Sequence, residues 1–215
     1  MMSRWQHTVA LIRSDFNRYK TKDTRGGFMT WAKNPAFTPI AVYRIVHYLG
    51  GSSSPILRKL WSLPIILLSR RMETKYGIRI PPRLDIGPGF AIWHCGLTVL
   101  HREAKIGTNC NIRQGTTIGS AGRGSKRGAP IIGNRVDIGV NAVVIGKITI
   151  GDDALIGAGA IIRQDVPARA VVVGDPQRIV SYRGSFDYVK YPGMESDPER
   201  SASLALAHAG LQKPE

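Results

Sequence analysis

The chain has 215 residues, with 30 Lys and Arg against 15 Asp and Glu, a formal net charge of +15, 24 Gly, 13 Pro and two Cys. That length suits one domain of ordinary size, or one with a small appendage, and 43% apolar residues can supply a core, which excludes general disorder. Two cysteines cannot build a disulfide scaffold, so Cys95 and Cys110 read as reduced thiols of a cytosolic protein, and the positive surplus points to a phosphate-bearing partner: nucleic acid, an anionic membrane or a phosphorylated cofactor.

The surplus is uneven along the chain. Residues 1–80 carry 14 Lys and Arg and 3 acids, residues 81–180 carry 12 and 7, and residues 181–215 carry 4 and 5. No apolar run in the first segment approaches the roughly 20 residues that cross a bilayer, because Ser62 and Pro64 interrupt the one around Leu60, Trp61 and Leu63 to Leu68. Trp5 to Ile12 is only weakly apolar and no small-residue cleavage site follows, so no signal peptide is expected and the cytoplasm is the expected compartment.

Residues 36–71 interleave Phe37, Ile40, Val42, Tyr43, Ile45, Val46, Leu49, Leu57, Leu60 and Trp61 with Arg44, Arg58, Lys59, Arg70 and Arg71. Helical spacing such as Ile45–Leu49 and Leu57–Leu60–Trp61, with a break at Gly50 to Pro55, predicts a pair of short helices within a basic α-helical region of residues 1–77. Two compatible readings follow. The apolar face packs on the next domain and leaves a solvated basic face, or residues 1–72 rest on an anionic leaflet, where each well-placed Lys or Arg contributes on the order of 1 kcal/mol.

From residue 84 the pattern changes. Branched apolar residues recur in steps of six: Ile86 and Ile92; then Leu100, Ile106, Ile112 and Ile118; then Ile132, Ile138, Val144, Ile150, Ile156 and Ile162. Gly often follows (Gly87, Gly107, Gly119, Gly133, Gly139, Gly151, Gly157), and a small or branched residue often stands two places before, Cys110 among them. A period of six fits neither a helix nor a flat strand. It fits a parallel β-solenoid in which each hexad is a short strand plus a turn, the apolar residue points inward, and Gly or Asn takes positive φ at the turns. The register breaks twice: a two-residue insertion around His94-Cys95-Gly96, and a fourteen-residue step from Ile118 to Ile132. The second is either two disguised hexads or a loop thrown out of the prism. In a solenoid, insertions mark the functional face.

These hexads, with Gly89-Phe90-Ala91-Ile92-Trp93-His94-Cys95-Gly96, the run from Ala104 to Gly119, Val166-Pro167-Ala168 and Val173 to Val180, resemble the hexapeptide-repeat acyltransferase superfamily. The likeness spans residues 78–182 and lies in the serine acetyltransferase-like branch. It implies an all-β left-handed parallel β-helix preceded by a small α-helical N-terminal region, a homotrimer, and acetyl-CoA bound between neighbouring prisms. The sequence departs from serine acetyltransferases at three points: Trp93 stands where they have an Asp before the first active-site His, Ala129 where they have a second His before the Pro closing the long loop, and the N-terminal region is shorter. Arg123-Gly124, Arg127-Gly128-Ala129-Pro130-Ile131-Ile132-Gly133, Val42-Tyr43-Arg44 and His47-Tyr48-Leu49 instead resemble the O-acetyltransferases of capsule, exopolysaccharide and lipopolysaccharide synthesis.

Acetyl transfer to a hydroxyl needs a base for the proton and donors for the developing oxyanion, without metal or covalent intermediate. Histidine, with an ordinary pKa near 6.5, suits the first task. His94 lies in the prism's break and matches the family's catalytic position. His101, just after inward Leu100, could line the same cleft, whereas His47 reads as a helix-face residue and His7 and His208 carry no signal. Trp93 either packs against a neighbouring subunit or offers its face to a sugar ring. Glu103 and Gln114 are alternative partners for the His94 imidazole.

For CoA, the resemblance implies that backbone N–H groups at Val140 and Ala158 meet the pantetheine amides. It places Arg178, and less directly Arg163, near the phosphates. Arg123, Lys126 and Arg127 on the long loop could clamp CoA phosphates or a sugar diphosphate. The implied partners are a saccharide acceptor, free or lipid-linked, at the inner face of the membrane. Free serine remains the alternative acceptor, and a non-catalytic hexapeptide-repeat binding protein the alternative class. No nucleic-acid motif accompanies the charge, so nucleic acid is not expected. The tail, residues 183–215, opens with Phe186, Tyr188 and Tyr191, which could cap the solenoid; beyond Pro192 its composition predicts mobility.

Overall fold

A computed structural model of the chain describes residues 3–20, 27–51, 54–124 and 127–209. Four helices come first: α1 (Arg4–Asn17), α2 (Gly27–Lys33), α3 (Phe37–Gly50) and α4 (Pro55–Tyr76). Short strands then stack into three faces. The first face holds β1 (Ile78–Arg79), β4 (Thr98–Leu100), β7 (Thr117–Gly119), β10 (Val143–Ile145) and β13 (Ile161–Ile162). The second holds β2 (Asp85–Ile86), β5 (Lys105–Ile106), β8 (Ile131–Ile132) and β11 (Thr149–Ile150), and the third β3 (Ala91–Trp93), β6 (Asn111–Arg113), β9 (Asp137–Ile138), β12 (Leu155–Ile156), β14 (Val171–Val173) and β15 (Arg178–Ser181). All neighbours run parallel except β14 and β15. The result is a left-handed β-helix of about five turns.

The hexad register is the packing register. Ile86, Ile106, Ile132 and Ile150 pair up the second face, Ile92, Ile112, Ile138 and Ile156 up the third, and Leu100, Ile118, Val144 and Ile162 up the first, all of them buried. The column continues past the sequence-level series: Val166 bridges to Ile150 and Val172 pairs with Ile156, after a step of four that breaks the period of six. Cys110 is a core filler, fully buried with its thiol 3.1 Å from the Gly133 carbonyl, and burial pushes that thiol up to about 12. Of the two readings of the long gap, the structure shows the loop: among the described residues, 120–124 and 127–129 lie outside the strands of the prism, and Ala121 and Gly128 close the loop's base by exchanging backbone hydrogen bonds.

The reason for the glycines differs from the expectation. None of Gly87, Gly107, Gly119, Gly133, Gly139, Gly151 or Gly157 has positive φ; that conformation falls two residues later, at Gly89, Asn109, Arg135, Asp153 and Arg169 on one corner and at Asn141 and Gly159 on another. The repeating glycines instead let coils approach. A Cβ on Gly107 would lie 2.5 Å from the Gly133 carbonyl oxygen, and one on Gly151 2.4 Å from the Ala168 nitrogen.

The helices close the open end of the prism. Asp15 of α1 and Arg44 of α3 form a buried two-point ion pair at 2.8 and 3.1 Å. Arg44 also donates to the Ile86 and Gly87 carbonyls at 2.6 Å, and the Asp15 carboxylate accepts the Phe90 N–H at 2.9 Å. Arg18 donates to the Gly89 and Lys190 carbonyls and to Asn111 Oδ1, the Tyr43 hydroxyl to the Leu84 carbonyl, and the Tyr19 hydroxyl both accepts from the Ile92 N–H and donates to its carbonyl. His47 Nδ1 donates to the Pro82 carbonyl.

Two expectations for residues 36–71 change accordingly. Arg44 does not belong to a solvated or membrane-facing basic surface, because it is buried as a cap of the first coil. The second helix is not short: α4 runs 22 residues straight through Pro64, started by Ser54 and Pro55 and stopped by Gly77 in the left-handed conformation. Among the described residues no helix is long and apolar enough to cross a membrane.

The tail also differs from the expectation of mobility past Pro192. Residues 183–209 return along the corner between the second and third faces, burying Phe186 and Val189 and ending in α5 (Pro198–His208). Asp197 caps α5 by accepting from the Arg200 N–H and also receives the Tyr191 hydroxyl, which holds its carboxyl below the usual range. Arg135, on the prism's corner, grips Asp153 at 2.8 Å and reaches Glu199 of α5 at 3.1 Å. Composition hid this because past Pro192 the anchoring contacts are polar, and the one from Arg135 to Glu199 joins residues 64 apart.

Replacing Arg44 by Met should cost about 3–5 kcal/mol in urea unfolding, since it strands a buried carboxylate and two carbonyls. Lys59→Ala, on exposed α4, should stay within about 0.5 kcal/mol.

Candidate active site

Across the corner between the third and first faces, the step from one inward residue to the next is six, as from Ile112 to Ile118 and from Ile138 to Val144. From Ile92 to Leu100 it is eight, which widens the corner at His94-Cys95-Gly96-Leu97, with His94 at φ +71° and Gly96 at φ +137°. The turn is held against the end of α4: the Gly96 N–H donates to the Tyr76 carbonyl at 3.0 Å and the Thr98 N–H to the Gly77 carbonyl at 2.8 Å. Gly77 and Gly96 approach so closely that a Cβ on Gly77 would sit 3.2 Å from the Gly96 Cα. His94 is therefore presented to solvent from a pinned backbone, and Cys95 tucks back onto the core. Burial raises the Cys95 thiol as well.

Trp93, the last residue of β3, is half-buried, with its ring 5.3 Å from that of Tyr19. Tyr19 thus packs one side of the Trp93 ring within the chain. Of the two residues considered as partners for His94, Gln114 lies against the turn, its Cβ within 3.6 Å of where a Gly96 Cβ would be. Glu103 stands after β4, on the far edge of the first face, and pairs with Arg102 at 3.5 Å. His101 sits at that far edge too. Its Nδ1 accepts the Glu103 N–H at 3.3 Å, and it lines a groove of about 480 Å³ between α4 and the first face. His94 and His101 are therefore on opposite edges of one face.

Val140 and Ala158 stack on the His94 corner, one coil apart. No described group accepts a hydrogen bond from either N–H. A Cβ on Gly139 would come within 2.6 Å of the Ala158 nitrogen, so glycine is what allows these amides to line up. Arg178 reaches the same corner, because β15 pairs it with Val173, whose side chain covers Gly157. Arg163 is exposed, its guanidinium 3.6 Å from Asp175 and its N–H bound to the Gln177 side chain next to Arg178. Arg123 and Arg127 are exposed on the long loop at the opposite edge; Lys126 lies outside the described residues.

The structure thus gathers Trp93, His94, Val140, Ala158 and Arg178 along one corner, and places Arg123, Arg127 and His101 across the first face. Sequence reasoning missed the Tyr76–Gly77 clamp and Tyr19. The clamp had a signal, a glycine directly after a helical pattern, but Tyr19 had none. Among the described residues no three His, Cys, Asp or Glu side chains group to hold a metal ion.

No family model matches the chain. It is 31% identical over 191 residues to the serine acetyltransferase of Synechococcus elongatus, covering 86% of this chain and 75% of that protein. It is 33% identical over 152 residues to WcaB of Escherichia coli, named for acetyl transfer in colanic acid biosynthesis, covering 70% of this chain and 93% of that one. Among solved structures, the serine acetyltransferase of Neisseria gonorrhoeae in complex with serine superposes with a TM-score of 0.68 at 30% identity, over 80% of this chain and 68% of that one. A serine acetyltransferase in complex with cysteine gives 0.71 at 29% identity, over 81% and 70%.

Gly139→Ala should lower the thermal midpoint measurably, with a cost of about 1–3 kcal/mol, because its Cβ meets backbone that cannot swing away. The same change at solvent-facing Gly124 meets nothing within 4 Å, and only its φ of +56° opposes it.

Proposed function

The chain belongs to the hexapeptide-repeat acetyltransferase superfamily, in its serine acetyltransferase-like branch, and on that premise we propose that it transfers acetyl from acetyl-CoA to a sugar hydroxyl in cell-surface polysaccharide synthesis, with His94 as general base. The carrying observation is the exposed imidazole on a clamped, widened corner in line with two free backbone N–H groups. His94 takes the acceptor proton as the hydroxyl oxygen attacks the thioester carbon. The tetrahedral oxyanion then collapses, the C–S bond breaks, and the imidazolium proton goes to the departing thiolate, leaving acetylated acceptor and CoA.

Val140 and Ala158 fit the pantetheine amides, and Arg178, with Arg163 beside it, fits the phosphates. Arg123 and Arg127 fit a second anionic group, such as the diphosphate of an activated or lipid-linked sugar. Trp93 offers the part of its ring not covered by Tyr19 to the sugar face. A homotrimer would bring a neighbouring prism against the CoA corner, and cytoplasmic acetyl-CoA makes the cytoplasm the working compartment. Serine is the second reading, favoured by the identity to the Synechococcus elongatus enzyme and by the likeness to the serine complex.

His94→Ala should lower kcat by about 10²–10⁴-fold while CoA still binds; retained turnover would overturn the assignment. The acceptor is decided by mass spectrometry of surface polysaccharide from cells with and without the gene. Loss of an acetyl group per repeat unit supports the sugar, whereas O-acetylserine formed by the purified enzyme at ordinary enzymatic rates replaces it with serine.

A further inference from the structure

Helix α4 is apolar on the side away from its own protein. Ile65 is half-buried and Met72 buried against the rest of the chain. On the opposite side, Ile56, Leu60, Leu63 and Leu67 follow one another at steps of four, three and four, and are 79, 65, 62 and 58% exposed. That spacing makes one continuous strip about 17 Å long. An apolar helix face of this size is covered by something in the working protein.

The charges beside the strip select the cover. Lys59, Arg70 and Arg71 are exposed alongside it, and Glu73 is the single acid in the helix. A second copy of α4 laid against the first would bring cations to cations, with no acidic row to complement them. An anionic surface complements them fully, and the mixture of Leu, Ile and Trp61 with Lys and Arg is that of a helix lying in a bilayer interface. Arg44 and Arg18 are consumed inside the fold, whereas the cations of α4 stay exposed beside its apolar side chains.

We propose that α4 docks flat on an anionic bilayer, with Ile56, Leu60, Leu63 and Leu67 entering the acyl boundary and Lys59, Arg70 and Arg71 meeting lipid phosphates. This stands whether the acceptor is a sugar or serine. The test is sedimentation of the full chain with vesicles of phosphatidylcholine alone or with roughly one third phosphatidylglycerol. Binding should require phosphatidylglycerol and fade at high salt. The combined Leu60→Gln, Leu63→Gln and Leu67→Gln variant should lose binding, and Arg70→Gln with Arg71→Gln should weaken it about 10- to 30-fold. All these side chains are exposed, so the far-ultraviolet spectrum and thermal midpoint should hold. No binding to the anionic vesicles, or undiminished binding by the triple-Gln variant, overturns the proposal. So does a parent chain that ignores vesicles but forms an oligomer which the triple-Gln variant splits, since a second copy is then the cover.

Discussion

A solenoid has two ends, and each end coil exposes a row of backbone groups that its own stack cannot satisfy. Here the first coil would leave the carbonyls of Leu84, Ile86, Gly87, Gly89 and Ile92 and the N–H groups of Phe90 and Ile92 without partners. Side chains of Asp15, Arg18, Tyr19, Tyr43 and Arg44 meet all seven. Each such group left buried and open costs about 1–3 kcal/mol, so several together would consume the stability of a typical domain. The helical region is thus the terminator of the β-helix. At the other end the antiparallel β15 ends the third face, and the returning tail covers a neighbouring corner.

This constraint explains what was and was not legible in the sequence. The core column could be read directly, since a period of six with an inward Ile or Val needs only neighbours within the same repeat. His94 was equally visible as a break in that period. Arg44 was not. Its ion-pair partner lies 29 residues away and its carbonyl partners 42 and 43, so a basic residue on a helix pattern looked solvated when it was structural. The glycines were recognised at the right positions for the wrong reason, because clearance between coils is a property of the stack and leaves no local mark. Tyr19 behind Trp93 belongs to the same class of long-range contact.

The charge of the chain divides differently once the structure is known. Arg18, Arg44, Arg135, Arg169 and Arg200 are all buried, serving end caps, corners and the docking of the tail. A third of the formal surplus of +15 is therefore equalled by cations that meet no outside partner. The exposed remainder is spread over the surface, and includes Lys59, Arg70 and Arg71 on α4, Arg123 and Arg127 on the long loop, and Arg163 and Arg178 near β15. The positive charge is sorted by depth, and depth decides whether an arginine is part of the fold or part of its interactions.

The bridge between Ala121 and Gly128 has a wider meaning for such a molecule. It ties off the base of the loop, so that the coil below and the coil above pair as though nothing lay between Ile118 and Ile132. Residues beyond that tie are free to lengthen, shorten or change charge without disturbing the stack. A scaffold of this kind can trade one acceptor for another across descendants while its core stays constant, and two catalysts of different diet can share nearly the same prism.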